Sequence, residues 1–342
     1  MKILLISPFK DSGWSWLSEY FPEHEWMVIN NDLFGLKAPF WLFKAIRSIN
    51  GVSKYDIVIT HAPYMTLNVA IALFLTGQDK KVKHYAFSFN HGNGRFFKGL
   101  RLFFAKKTFK HMNGFVVYSK AERELFSKRY DIDLEKLSFC HWAVNPPVIE
   151  ELPAEYIIKS KPYISCMGRN NRDFEVFIEV MKRNPQFNAI LVCPKDGLSQ
   201  SDLPKNILVK NDIPLKEAMT ILANSSVSVV PIKDVSTGAG HITIVSAMQL
   251  GIPQLVTRLS TVDDYFIDGK HGFYIEQGDV ESMSVKLHEI IDNEELHETI
   301  RQETASFSSK WLVEHSSVNF LKKYLGAIEN NDLLPKFPIG FK

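Results

Sequence analysis

Cysteine is scarce in this chain: Cys140, Cys166 and Cys193 are the only ones in 342 residues, an odd number without C-x-x-C spacing. That excludes a disulfide framework and a structural zinc site. Cys166 and Cys193 lie in apolar runs, as small core residues of a reducing compartment do. A long hydrophobic run is missing too. The longest, Leu67–Leu75, contains Asn68 and falls far short of the ~20 residues that span a bilayer. Met1–Ile6 holds too few apolar residues before Pro8 and Lys10 for a secretory core of about 7–15. A cytoplasmic protein is expected, with any membrane contact peripheral. No His, Asp or Glu cluster has metal-ligand spacing, so neither a metal nor another cofactor is expected. Glycine is thin where dinucleotide enzymes keep it. The first turn, Pro8–Gly13, has Gly13 alone, which disfavours hydride transfer.

What is present reads as globular. Hydrophobic residues make up 45% and charged residues 23%, which excludes wholesale disorder. The net charge of +2 hides an asymmetry: residues 1–150 carry 20 Lys+Arg against 13 Asp+Glu, and the remainder 20 against 25. A basic front half and an acidic back half suggest two modules, which the length also fits.

Short apolar runs alternate with amphipathic stretches, the pattern of βαβ units. Strands are expected at Lys2–Ser7, Trp26–Ile29, Asp56–Thr60, His84–Phe87 and Gly114–Tyr118, then at Tyr163–Met167, Ala189–Val192, Ile207–Val209, Val227–Pro231 and Gln254–Thr257. Helices are expected at Pro39–Ile49, Met65–Thr76, Phe97–Lys110, Asp173–Arg183, Leu215–Ala223, Thr243–Leu250, Val280–Asn293 and Lys310–Ile328, with Ser119 capping another. The Pro-rich stretch from Asn145 to Pro162 is the expected linker. The fold class is α/β, two doubly wound domains whose ligands bind where the strands' C-terminal ends open.

Two constellations could carry chemistry. Gly168-Arg169-Asn170-Asn171-Arg172-Asp173 follows a strand, and two guanidinium groups at a helix entry suit phosphate oxygens. The bland alternative is a Gly turn with Asp173 as helix cap and both arginines solvated. Thr237-Gly238-Ala239-Gly240-His241-Ile242-Thr243 precedes a helix whose N-terminus would favour an anion. His241 there could donate to a phosphate, or simply be solvated at a loop tip. In the front half His91 is the candidate general base, with His61 a second choice.

The order of motifs resembles glycosyltransferases of the GT-B fold, in particular the retaining, family-4 type of the "glycosyl transferases group 1" families. The resemblance is carried by Gly168-Arg169, SSVSVVPI, the Gly-rich turn, ITIVSAMQLGIPQLVT and DDYFIDGKHGFYI, where Ala247-Met248, Gly251, Pro253, Asp268-Gly269 and Gly272 fill the family's places. FSFNHGN, VVYSKAERELF and FCHWAVNPP resemble its first-domain strand ends and hinge. It implies an acceptor-binding Rossmann-like domain at 1–150, a nucleotide-sugar domain at 151–308, and a helix and tail at 309–342 returning to the first, the two domains facing a cleft. The donor would be a nucleotide-diphosphate sugar, UDP or GDP, and the acceptor a saccharide or lipid-linked sugar in bacterial surface polysaccharide assembly. Carried over by position, Gly13, Arg169, Arg172, Ile213, Gly240, His241, Ile242, Thr243 and Ser246 would hold the donor. Arg169, His241 and His91 would serve catalysis, without a metal. The family's two glutamates are replaced by Gly238 and Ser246, which leaves retention of stereochemistry open.

Residues 80–110 carry nine Lys/Arg and no acid. Arg95, Lys98, Arg101, Lys106, Lys107 and Lys110 mark an acceptor or anionic-membrane face, with Phe96, Phe97, Leu100, Phe103 and Phe104 on one arc of the same helix. The alternative is a surface helix packing its phenylalanines on its own sheet. Nucleic acid is the weaker partner, although a DNA-base glucosyltransferase would use such a surface. Two further readings compete: a nucleotide-sugar 2-epimerase on the same fold, and a non-catalytic sugar-nucleotide or polymer-binding protein.

Overall fold

The computed structural model describes residues 1–10, 16–33, 38–91, 96–152, 156, 163–198, 203–235, 238–338 and 340–341. The chain divides into two compact units. One is built from residues before His141 together with Ser317 onward, and the other is His141–Ser316.

The first unit is a six-stranded sheet in the order β2-β1-β3-β4-β5-β6, every pair parallel. Its strands are β1 Lys2–Ser7, β2 Glu25–Asn30, β3 Ile57–His61, β4 Lys83–Phe87, β5 Gly114–Val117 and β6 Leu137–Phe139. Alternate residues of β1 serve opposite faces, as strand geometry requires. Ile3 and Leu5 meet Phe320, Leu321, Tyr324, Leu325 and Ile328 of α11 (Glu314–Asn330). Leu4 and Ile6 meet α2 (Ala38–Ser48) and α3 (Pro63–Leu75). Helices α4 (Gly99–Phe109) and α5 (Lys120–Tyr130) extend that second layer over β4, β5 and β6. With both faces covered, the central strands are largely apolar runs rather than alternating ones. Ser119 caps α5 by accepting from the Glu122 amide at 3.1 Å.

The second unit repeats the plan in the order β12-β11-β10-β7-β8-β9, again all parallel. Its strands are β7 Tyr163–Met167, β8 Asn188–Cys193, β9 Ile207–Asn211, β10 Val227–Val230, β11 Gln254–Thr257 and β12 Gly272–Ile275. Helices α6 (Phe174–Arg183), α7 (Leu215–Ala223), α8 (His241–Gln249), α9 (Val280–Ile291) and α10 (Glu294–Trp311) cover it.

Several elements differ from expectation. The chain passes to the second unit at His141, not at 151, because Trp142 and Val144 pack beside Leu259, Val262 and Tyr265. Gln249 also donates to the Val144 carbonyl at 2.6 Å. The return falls at Ser317 instead of 309, and the single helix expected at Lys310–Ile328 is two, broken between Trp311 and Glu314. β12, which the sequence reading did not place among the strands, lies parallel to β11. Short β6 and polar α10 escaped the sequence reading altogether. The fully buried residues of α10 are Ile300, Thr304 and Ser308, an i, i+4, i+8 stripe with little apolar signal.

Candidate functional site

In the second sheet the chain runs outward from β7 to β8 and β9, then crosses back so that β10 lies on the other side of β7. The loops leaving β7 and β10 therefore diverge, and such a switch point is where open α/β sheets bind ligands. Both sequence constellations arrive there.

After β7 the backbone turns at Gly168 with φ +154°. A Cβ at this position would meet Nε of Arg172 at 2.6 Å, so glycine lets that guanidinium fold back beneath the turn. Arg172 donates through Nε to the Met167 carbonyl (3.0 Å), through Nη1 to that of Asn170 (3.1 Å) and through Nη2 to Thr243 Oγ1 (3.3 Å). Its backbone pairs antiparallel with Ile232. One side chain thus ties the β7 turn to the first turn of α8. Burial lowers its pKa to about 10, which leaves it charged at neutral pH. Asn171 adds a second tie: Nδ2 donates to the Asp234 carbonyl and Oδ1 accepts from the Asp234 amide, both at 2.8 Å. Asp173 caps α6, accepting from the Val176 amide at 3.3 Å. Arg169, by contrast, is exposed, and no described residue hydrogen-bonds or ion-pairs with it. The two arginines, alike in sequence, divide into a half-buried brace and an exposed cation.

The opposite wall is the start of α8. Gly240 takes the N-cap place in the left-handed region, φ +87°, and no side chain caps the helix. The first-turn amides of His241, Ile242 and Thr243 lie beyond the reach of intrahelical acceptors, which makes an anion-binding terminus. His241 departs from expectation. Its Nε2 faces the Thr261 carbonyl at 3.1 Å and must carry the proton, while its ring stands edge-on to Tyr265 at 4.9 Å. Burial, with Arg172 nearby, lowers its pKa to about 4. A neutral ring with Nε2–H so engaged leaves Nδ1 an acceptor. Ile242 is exposed, Thr243 is buried by its bond to Arg172, and Ser246 is buried one turn further along. At the far edge Ile213 packs partly into the core beside Met219 and Leu222. Asn211 and Asp212 are occupied in closing the β8–β9 ends, donating to the Cys193 carbonyl (3.3 Å) and accepting from the Lys195 amide (3.0 Å).

The first sheet has its own switch point, between β1 and β3. Ser7 and His61 end those strands and meet there, Oγ to Nδ1 3.4 Å, with the Phe9 ring 4.8 Å from the imidazole. Ala62 follows with φ +71°, a strained value for a non-glycine residue and one that gathers at functional sites. Burial lowers the His61 pKa to about 3, so its ring is neutral. His91, the expected base, lies elsewhere. It is buried among Phe89, Phe96, Phe97, Phe126 and Tyr130, with Nε2 3.0 Å from the Tyr130 hydroxyl. His91 thus sits in an aromatic cage beside the Tyr130 hydroxyl rather than at the β1/β3 switch point. The switch-point rule, applied to the expected strand order, was the signal that could have favoured His61.

Gly13 and Arg95 lie outside the described residues. Lys98, Arg101, Lys106, Lys107 and Lys110 are all exposed on or beside α4, but the expected apolar arc is not a single face: Phe97 is buried while Leu100 and Phe103 are exposed. No helix among the described residues is long and apolar enough to cross a membrane.

Residues 149–307 match the family described as glycosyl transferases group 1. The capsular polysaccharide biosynthesis glycosyltransferase CapM of Staphylococcus aureus is 29% identical over 105 residues, 31% of this chain and only 26% of that protein's length. Among solved structures, sucrose-phosphate synthase from Thermosynechococcus elongatus superposes with a TM-score of 0.76, covering 97% of this chain and 100% of that one at 13% identity. HepE of Anabaena, crystallised with UDP, gives 0.72 over 96% and 100% at 15% identity. At such identities these likenesses speak for the fold, which is GT-B: two six-stranded parallel α/β units.

Proposed function

We infer that this GT-B chain, with its glycosyl transferases group 1 domain at residues 149–307, is a glycosyltransferase that moves a sugar from a nucleotide-diphosphate donor to a saccharide or lipid-linked acceptor. The observation that carries the reading is the second unit's switch point, where Arg172 ties the turn after β7, which carries the exposed Arg169, to the N-terminus of α8, which no side chain caps. A diphosphate is the ligand such a pair suits: a guanidinium fork for its oxygens and backbone amides for the rest.

In transfer the bond from the sugar carbon to the β-phosphate oxygen breaks, the bond to the acceptor oxygen forms, the nucleoside diphosphate leaves with the electron pair and the negative charge, and the acceptor hydroxyl's proton passes to the departing phosphate oxygen or to water. Arg169 and the α8 amides meet that charge as it develops. Such preorganised stabilisation is often the largest catalytic contribution, and it needs no metal in this scheme. We assign the acceptor to the first unit, where neutral His61 and Ser7 offer hydroxyl-binding groups at the switch point. UDP is the favoured nucleotide, since HepE was crystallised with UDP and with UDP-glucose. A role in bacterial surface polysaccharide assembly is supported by the likeness to CapM.

The test is a panel of UDP-, GDP-, ADP-, CMP- and dTDP-sugars read by thermal shift and then by release of free nucleotide. A bound donor at about a hundred times its dissociation constant adds about 2.7 kcal/mol of stability. One responding nucleotide, released faster when acceptor is added, is the expected result. No response from any of them would sink the donor site, and conversion of the donor sugar without acceptor would point to a 2-epimerase instead.

A further inference from the structure

The outward layer of the first unit has an unusual surface. Helix α3 lies between α2 and α4, and its thirteen residues include no charge at all. Its solvent side, Tyr64, Asn68, Ile71 and Leu75, follows an i, i+4, i+7, i+11 stripe where a soluble protein ordinarily places charged side chains. The flanking helices continue it. Phe40 and Phe43 of α2 are 55% and 60% exposed, and Leu100 and Phe103 of α4 are 71% and 57% exposed. Aromatic contacts join the three helices: Trp41 to Tyr64 at 6.0 Å and Tyr64 to Phe97, just before α4, at 5.1 Å.

Cations frame this apolar strip. Arg47 on α2 and Lys98, Arg101, Lys106, Lys107 and Lys110 on or beside α4 are exposed. Arg101 lies over the Tyr64 ring and Lys107 over that of Phe74. From Leu33 to Lys110 the only acids are Asp56 and Asp79. Both precede strands, β3 and β4, and so stand at the sheet's N-terminal edge, where α2 and α4 end with Arg47, Lys106, Lys107 and Lys110, and away from the ends where those helices begin with Phe40, Phe43, Leu100 and Phe103.

We propose that the α2–α3–α4 face docks on an anionic lipid bilayer, with Phe40, Phe43, Leu100 and Phe103 entering the headgroup boundary and the surrounding lysines and arginines meeting lipid phosphates. Exposed aromatic and aliphatic side chains within a basic rim are what interfacial binding requires. A second copy of the same face would set these cations against their own kind. A nucleic acid would satisfy the cations but leave the apolar residues in water. The proposal deepens the reading of a lipid-linked acceptor, yet it stands on exposure and charge in the first unit alone.

The test is co-sedimentation of the full chain with phosphatidylcholine vesicles, with and without about 30% phosphatidylglycerol, at about 0.1 M and about 0.5 M salt. Binding should require the anionic lipid, and salt should weaken it without abolishing it. Phe43→Ser/Phe103→Ser should lower the partition coefficient by at least about tenfold, because the apolar part of interfacial binding scales with buried area. The thermal midpoint and nucleotide-sugar response of the variant check that it is folded, and Phe40→Ser/Leu100→Ser is a second variant should the first misfold. Failure of wild-type protein to bind anionic vesicles overturns the proposal. So does binding that both serine variants retain and salt abolishes, which would be charge attraction alone. A dimer in light scattering that the serine variants dissociate would assign the face to a second copy, and tighter binding to duplex DNA than to vesicles would assign it to nucleic acid. The nucleotide-sugar response of the same preparation reports separately on the transferase reading.

Discussion

Arg169 and Arg172 stand three residues apart, both after β7, and the sequence offers no reason to treat them differently. The structure does. Arg172→Ala removes three hydrogen bonds made by a half-buried charged group and should cost about 1.5–3 kcal/mol of stability. Lysine should not restore it, since a point charge cannot span acceptors on both β7 and α8. Arg169→Ala should leave the thermal midpoint unchanged, because the side chain is exposed, and weaken nucleoside diphosphate binding by about 1.5–3 kcal/mol. Calorimetric unfolding and titration of UDP into both variants separate the two roles, and equal effects on affinity with none on stability would contradict the brace. Among the residues singled out from sequence, Arg169 is exposed after β7 and Gly240 opens α8, both at the second unit's switch point. The histidines were legible as chemistry but not as environment. His91 is enclosed by rings from residues 89 to 130, and His241 is committed to the Thr261 carbonyl, neither of which local sequence reveals. The Arg172–Thr243 bond crosses 71 positions and has no local trace.

At the scale of elements, ten of the twelve strands were legible because parallel strands covered on both faces must be continuously apolar. The two that were missed are short, and β12 begins with a glycine whose reason is tertiary. Gly272 has φ +129°, and a Cβ there would come within 1.9 Å of the Gln254 carbonyl oxygen on β11. Gly272→Ala should therefore cost about 2–6 kcal/mol, combining backbone strain with overpacking, and break the β11–β12 pairing. The urea midpoint reads the loss, and amide exchange in Gln254–Thr257 should rise with it. An unchanged midpoint would mean that β12 shifts freely, against the register seen here.

For the whole molecule, burial lowers the pKa of four histidines among the described residues, two in each unit. Burial brings His61 and His84 to about 3 in the first, and His241 and His271 to about 4 in the second. The unfolded chain titrates near 6.5, so between that pH and about 4 it binds more protons than the folded one, and stability falls as pH falls. Each such histidine contributes a slope of up to about 1.4 kcal/mol per pH unit. Urea midpoints should drop steadily below pH 6.5, before carboxylates titrate, and His84→Gln should flatten the curve. A midpoint level from pH 6.5 to 4.5 would mean that these rings are protonated in the folded state. The route of the chain has another consequence. The first sheet needs α11 over Ile3, Leu5, Ile57 and Ile59, yet that helix lies beyond the whole of the second unit. On the ribosome, at about 5–20 residues per second, the first unit waits roughly 10–35 s with one face of its sheet bare after its last strand is made. The second unit, continuous in sequence, can fold during that wait, so the half of the chain that is synthesised first is completed last.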